Sequence, residues 1–263
     1  MLADVFRKSL RDQRRAVLGW GIGIAATVLL MAALWPSVRD VFDPELLASY
    51  PESMRKLFDI EAIDTGAGFL NAEVFSIVLP ALFITYGIGR GARLVAGEEQ
   101  DGVLEMVVVS PVSRVRILLD KAAALAAALL ALSVVLFAAT VLSSFAADMG
   151  IPAAHAGIGA LSMTLLGLYH AWLALAVGAA TGRRGLAIAV AATVAGAGYV
   201  LHVVGALVEA VEPWRALSPF TQAIESGPLS GAVPWGFAWL ALGAIVFVAA
   251  ALPLFDRRDL ATA

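Results

Sequence analysis

The sequence predicts an all-α polytopic membrane protein with six transmembrane helices and both termini on the inner side. Three observations carry this. The 263-residue chain is 60% hydrophobic and 15% charged, with a mean hydropathy of +0.87, where soluble domains carry roughly 25% charge. Six stretches have about the length of apolar helix needed to cross a hydrocarbon core about 30 Å thick. The basic residues, finally, are segregated onto alternate connections between those stretches.

The six spans are residues 17–35, 74–94, 117–145, 158–181, 186–208 and 235–255. Each is rich in Ala, Leu, Val and Gly and nearly free of charge. None alternates apolar and polar residues as a barrel strand does, so each is a helix whose backbone satisfies itself inside lipid. No polar stretch is long enough to hold an independent core and no internal repeat is visible, so residues 1–263 form a single membrane domain.

Ahead of the first span, residues 2–15 predict a short interfacial helix. Leu2, Val5, Phe6 and Leu10 fall on one face, and Arg7, Lys8, Arg11, Arg14 and Arg15 line the other, the pattern of a helix lying among lipid headgroups. The first span is too long for a signal-peptide core and ends at Trp35-Pro36 without a small-residue cleavage site, so it is retained as a signal anchor. The connection 36–73 is too long for a bare loop. Asp43-Pro44-Glu45 there predicts a helix start.

Pro80 inside span two removes an amide donor and predicts a kink. Residues 209–234, containing LSPFTQAIESGPLSG, are punctuated by Pro213, Pro219, Pro228 and Pro234. Their apolar pieces are too short to span, so a re-entrant hairpin between spans five and six is expected. Gly87/Gly91, Gly19/Gly23 and Gly178/Gly182 have the four-residue spacing that brings helices close.

Charge sets the orientation. Only Arg39, Arg55, Lys56 and Arg215 fall on one side; every other Lys and Arg falls on the side of the termini and of the 97–121 loop. The positive-inside bias makes that side cytoplasmic. The net charge of −3 averages two unlike faces and gives no indication of nucleic acid as a partner. The chain has no Cys, which excludes a disulfide framework and thiolate chemistry.

The chemistry of sites is sparse. No G-x-x-x-x-G-K phosphate loop exists, so the chain is not expected to be an enzyme and binds no cofactor of its own. No Asp, Glu, Lys or Arg sits at mid-span, where an ion-driven carrier needs a relay. That favours a largely apolar or amphiphilic cargo and an external source of energy. His170 and His202 lie in spans four and five, where they and Pro80 are candidates for the substrate pathway. They lack the third ligand or H-E-x-x-H that a metal site requires, so no metal is expected. An intramembrane metal-dependent enzyme is the alternative class, with these histidines as ligands or bases.

The loop 97–121, GEEQDGVLEMVVVSPVSRVRILLDK, is the densest run of charge after the N-terminus. Glu98, Glu99 and Asp101 precede Gly102, which ends the extension of span two. Residues 103–109, with Leu104 and Glu105, form a short apolar element that Pro111 stops. Ser113 then caps the helix entering span three, next to Arg114. Apolar side chains exposed in cytosol call for a soluble partner.

This segment resembles the signature G-E-E-x-x-G-x-L-E-x-x-x-x-x-P-x-S-R-x-x-x-x-x-x-K of ABC-2-type ABC transporter permeases. Glu98, Glu99, Gly102, Leu104, Glu105, Pro111, Ser113, Arg114 and Lys121 all match, and Val107, Val108 and Val109 are more β-branched than is usual there. Similarity extends to LRDQRRAVLGWGIG, GFLNAEVFSIVLP and FDRRDL, covering most of the chain, and is greatest toward multidrug or antibiotic exporters of actinobacterial type. The resemblance implies a multi-pass subunit of a prokaryotic plasma membrane that exports a drug, an antibiotic or a lipid-like molecule. It implies two permease copies, as homo- or heterodimer, and two separate ATPase subunits that bind ATP and Mg2+. The loop would be their coupling helix, with Glu98, Glu99, Gly102, Leu104, Glu105, Pro111, Ser113 and Arg114 at the partner interface. Residues 2–15 and 214–229 would be the elbow helix and the outer hairpin. A non-transporting signalling or immunity subunit of such a complex is a further alternative.

Overall fold

The computed structural model describes residues 4–39, 65–102 and 113–258. Helix α1 runs over Asp4–Val38, α2 over Gly66–Phe75, α3 over Val78–Gln100 and α4 over Arg114–Ala146. Helices α5 (Ala153–Thr181) and α6 (Arg184–Leu207) follow, then a 3-10 segment at Glu212–Leu217, a short α7 (Pro219–Ile224) and α8 (Gly236–Arg257). No strand occurs among the described residues. Among the described residues, helices α1, α4, α5, α6 and α8 are long and apolar enough to cross a membrane, and the bent pair α2–α3 makes six if the two helices are taken as one span. The helix start expected at Asp43 and the apolar element at 103–109 lie outside the described residues.

The first departure from the sequence reading is at the N-terminus. The expected interfacial helix and the first span are one continuous helix of 35 residues. Nothing separates them physically: residues 4–18 contain no Gly or Pro, and Leu, Arg, Lys and Gln are good helix formers. At about 52 Å the helix exceeds the hydrocarbon thickness, so its cationic turns extend beyond its apolar part.

Span two starts earlier than expected and is broken. The Thr65 side chain accepts from the amide of Gly68 at 3.0 Å and caps α2. Between α2 and α3 the axis turns by 42° at Ile77, whose φ of −135° and ψ of −51° leave the helical range. The cause is Pro80. Its ring cannot tolerate the carbonyl four residues back, that of Ser76, and it brings no amide to bond it. The Ser76 hydroxyl bonds the Ala72 carbonyl at 2.5 Å, a back-bond that itself favours bending. The kink expected from Pro80 is present, one turn N-terminal to the proline.

Helix α5 is the most buried of the long apolar helices and packs against α3, α4, α6 and α8. Lipid tails are as apolar as Leu, so close packing and not water exclusion must hold these helices together. Small residues permit it. A Cβ added at Gly87 would lie 2.7 Å from the Gly167 carbonyl oxygen, and one at Gly91 would strike the Ala171 carbonyl. The Gly87/Gly91 pair is thus the contact of α3 with α5. Gly19 and Gly23, by contrast, have nothing within 4 Å. Toward α4, Trp172 Nε1 donates to the Ala122 carbonyl at 3.2 Å and Ser133 Oγ to the Ala160 carbonyl at 3.1 Å. Toward α8, Tyr169 stacks on Trp239 with centroids 5.5 Å apart.

The segment between α6 and α8 folds back into the bundle. Ser218 Oγ donates to the Gly198 carbonyl at 2.7 Å, and Ser162 Oγ donates to the Ala223 carbonyl at 2.7 Å. Gly198 is nine residues inside the end of α6, and Ser162 nine inside the start of α5. At 1.5 Å per residue both contacts sit about 14 Å below the helix ends. His202 Nδ1 meets Thr221 Oγ1 at 2.9 Å, and the Leu229 amide donates to Asn71 Oδ1 at 3.1 Å. Ser162 and Asn71 thus satisfy backbone groups of this segment that no helical ladder bonds, as buried irregular backbone requires.

The helix ends sort into two sets. Trp35 lies against Phe69 with centroids 5.4 Å apart, and His155 Nδ1 meets the Leu229 carbonyl at 3.1 Å. These mark the end that carries the hairpin. At the other end the start of α1, the end of α3, the start of α4, the α5–α6 turn and the end of α8 come together. The basic residues grouped by sequence are at this second end.

Candidate functional site

That second end is built around the two stems of the 97–121 loop. Helix α3 stops at Gly102, whose φ of +70° is a left-handed conformation that a side chain would strain. The amides of Asp101 and Gly102 bond back to the carbonyls of Gly97 and Glu99 at 3.0 Å each. The chain re-enters at Ser113, whose hydroxyl accepts from the Arg116 amide at 3.3 Å and caps α4, as the sequence predicts. Leu104, Glu105 and Pro111 lie between the stems, outside the described residues.

The paired carboxylates of the signature turn inward. Glu98 Oε2 receives the ammonium of Lys121 at 2.5 Å, and that ammonium also donates to the Leu94 carbonyl. Lys121 is 1% exposed, which an ammonium tolerates only with a charge partner and satisfied donors. Here it has both. Lys8 approaches the other oxygen of Glu98 at 3.9 Å, a longer and more exposed contact of small energetic weight.

Glu99 is paired with Arg258, just beyond α8, and its side chain is largely buried. Arg114 donates to the carbonyl of Asp256 at 3.3 Å and to that of Arg258. The Gly182 turn between α5 and α6 lies directly behind the Glu99 pair: a Cβ there would come within 3.0 Å of the Glu99 carboxylate. Gly182 has φ of +67°. Its missing side chain gives both the turn and the room.

Glu98, Glu99 and Arg114 were expected to face a partner. Within the chain each of them also has a partner, and these contacts tie both loop stems to α1, α4 and α8. Lys121, also in the signature, is the partner of Glu98, and Arg258 is that of Glu99. Sequence reasoning passed over Lys8 and Arg258 as topology-setting charges. The signal for them was the acid pair itself, because carboxylates on so basic a face find cations.

Nearby contacts extend the brace. Tyr86 donates to Gln13 Oε1 at 3.2 Å, and Arg90 donates to the Asp12 carbonyl at 3.3 Å, joining α3 to α1. Gln13 is fully buried and its amide bonds the Ser9 carbonyl at 3.1 Å.

The other candidates lie elsewhere. Pro80 is buried at the α2–α3 break. His170 Nδ1 meets its own helix at the Leu166 carbonyl, 2.9 Å away, and its ring lies 6.3 Å from that of Phe220. His170 and His202 therefore each contact α7 and do not form a pair. Among the described residues no group of three His, Cys, Asp or Glu side chains is placed to hold a metal ion.

Comparison with known proteins places the sequence in a family. Residues 2–255 match the family of the multidrug efflux system permease Rv1217c, C-terminal domain. A search of curated proteins gives no match. The matched range contains all the helices from α1 to α7, most of α8 and both loop stems, and it agrees with the ABC-2-type resemblance of the loop signature. The chain belongs to this family of multidrug efflux permeases.

Proposed function

We propose that the chain is the permease subunit of an ATP-driven exporter, coupled through the 97–121 loop to a separate ATPase subunit. The cargo is amphiphilic or hydrophobic, a drug, an antibiotic or a lipid-like molecule, and leaves across a prokaryotic plasma membrane. Both termini and the loop are cytoplasmic, and the ATPase binds ATP and Mg2+. Two ATPase copies and two permease domains make the transporter. The match to the C-terminal domain of a permease supports a second permease domain in the transporter.

The observation that carries this reading is the ionic brace at the loop stems. Glu98 and Lys121 clamp the end of α3 to α4, and Glu99, Arg258 and Arg114 clamp both to the end of α8. A displacement applied to the loop is then transmitted to three helices instead of being absorbed by a flexible connection. ATP-driven closure of the ATPase pair would draw the loops together, and the braced helices would open the path outward. Between the stems, Leu104, Glu105 and Pro111 are the contact residues and Gly102 and Ser113 set the exit and entry.

Reconstitution with the cognate ATPase tests this. Glu105→Lys is expected to abolish ATPase binding. Glu98→Gln with Glu99→Gln is expected to retain binding but lose substrate-stimulated ATP turnover and transport. Wild-type coupling in both variants would refute the reading.

A further inference from the structure

Between α1 and α3, on the basic end of the bundle, lies a cleft of about 810 Å³. Lys8, Arg11, Arg14, Arg15, Arg90 and Arg93 line it, against the acids Asp12, Glu98 and Asp101. Those acids are already engaged: Asp12 with Lys8 at 3.2 Å, Glu98 with Lys121, and Asp101 with Arg93 at 3.9 Å. Among the described residues, Arg11, Arg14 and Arg15 have no acidic partner. The Arg90 Nε is buried with no hydrogen-bond partner, although its Nη2 reaches the Asp12 carbonyl. Like charges gathered this closely repel, and the fold keeps them together in a concave surface instead of spreading them around α1.

The position of the cleft narrows the ligand. Arg14 and Arg15 directly precede the apolar stretch of α1 that begins at Ala16, so the cleft opens where charged surface gives way to lipid-facing surface. Leu94 adds an apolar wall. The volume suits a headgroup-sized molecule better than a single small ion. Several guanidinium forks converging on one space match a tetrahedral oxyanion, which accepts paired N–H donors on each side.

We propose that this cleft binds a phosphate group, presented by an anionic phospholipid of the inner leaflet or by a soluble phosphate. The bound phosphate competes with Glu98 for Lys8 and with Asp101 for Arg93, both contacts of 3.9 Å, so its occupancy is felt at the loop stem. The inference requires the membrane placement of the chain but not its coupling to an ATPase.

The test uses the full chain purified in detergent, with phosphatidylglycerol, phosphatidylcholine and inorganic phosphate as probes. Retained lipid is read by native mass spectrometry and stabilisation by thermal unfolding. Phosphatidylglycerol is expected to be retained at least tenfold over phosphatidylcholine. That preference is expected to fall more than tenfold in R11Q/R14Q/R15Q, and likewise in R90Q/R93Q, which spares the topology signal on α1. R183Q/R184Q/R257Q, which removes three exposed charges outside the cleft, is expected to keep it. Stabilisation by millimolar inorganic phosphate with displacement of the lipid supports the site and assigns it to a soluble phosphate; preference for the lipid alone assigns it to the headgroup. Equal retention of both lipids with no effect of phosphate overturns the proposal, as does equal loss in the remote variant.

Discussion

Lys121 and Glu98, separated by the whole loop in sequence, meet at 2.5 Å with the lysine almost completely buried. Removing one partner leaves the other as an uncompensated charge, which in buried pairs costs about 3–5 kcal/mol. Lys121→Met is therefore expected to destabilise the permease by about 3 kcal/mol, and Lys121→Met with Glu98→Gln by clearly less. Unfolding of the single and double variants in one detergent gives the coupling energy; strict additivity would mean that the pair does not hold the stems.

The backbone contact of α3 with α5 makes a second prediction. Gly91→Ala places a methyl group against the Ala171 carbonyl, and overpacking of this kind costs about 1–3 kcal/mol. Gly89→Ala on the same helix meets nothing within 4 Å and is expected to be neutral or stabilising by up to about 1 kcal/mol. Melting temperatures of the two variants check the contrast.

Pro80→Ala restores the amide that the Ser76 carbonyl lacks, so the α2–α3 break is expected to straighten. Spin labels at Ala67 and Gly89 would then move apart from about 31 Å to about 33 Å, from the helix rise and the loss of the bend. Pulsed electron resonance measures the change; an unaltered distance would place the cause of the bend in packing and not in the proline.

At the hairpin, Ser218 does three things: its hydroxyl donates to the Gly198 carbonyl and accepts from the amides of Phe220 and Thr221. Ser218→Ala is expected to cost about 1–2 kcal/mol. Faster hydrogen exchange should be confined to the Phe220, Thr221 and Gln222 amides and their neighbours. Exchange spread evenly along α5 and α6 would count against a locally pinned hairpin.

Much of this architecture is legible in the residues because lipid imposes simple demands. Apolar runs of sufficient length locate the long helices, and the boundaries of α4, α5, α6 and α8 follow them closely. The prolines at 213, 219, 228 and 234 mark the hairpin for the same reason, since its pieces are too short to cross. The start of α2 was hidden because Asn71 and Glu73 look like loop residues. Asn71 is in fact consumed by the Leu229 amide 158 positions away, a pairing no local pattern records. The separate interfacial helix was read from amphipathicity, which reports a face but not a break, and residues 4–18 contain no Gly or Pro to break α1 there.

The loop signature shows the same division. Its turn and cap residues, Gly102 and Ser113, act locally and are found where expected. Its charged residues also act across the bundle, and no local pattern records those contacts because Lys8, Lys121 and Arg258 lie far apart in the chain.

The engagement of Arg258 with Glu99, and of its carbonyl with Arg114, has a practical side for anyone labelling this protein. A fluorescent or affinity tag joined closely after Arg258 is mechanically joined to the loop stem as well. Its bulk would load the loop stem, the element that moves in the proposed coupling. Distance probes of that motion belong on the hairpin end, where the attached load is remote from the stem and the recorded displacement comes from the helices themselves.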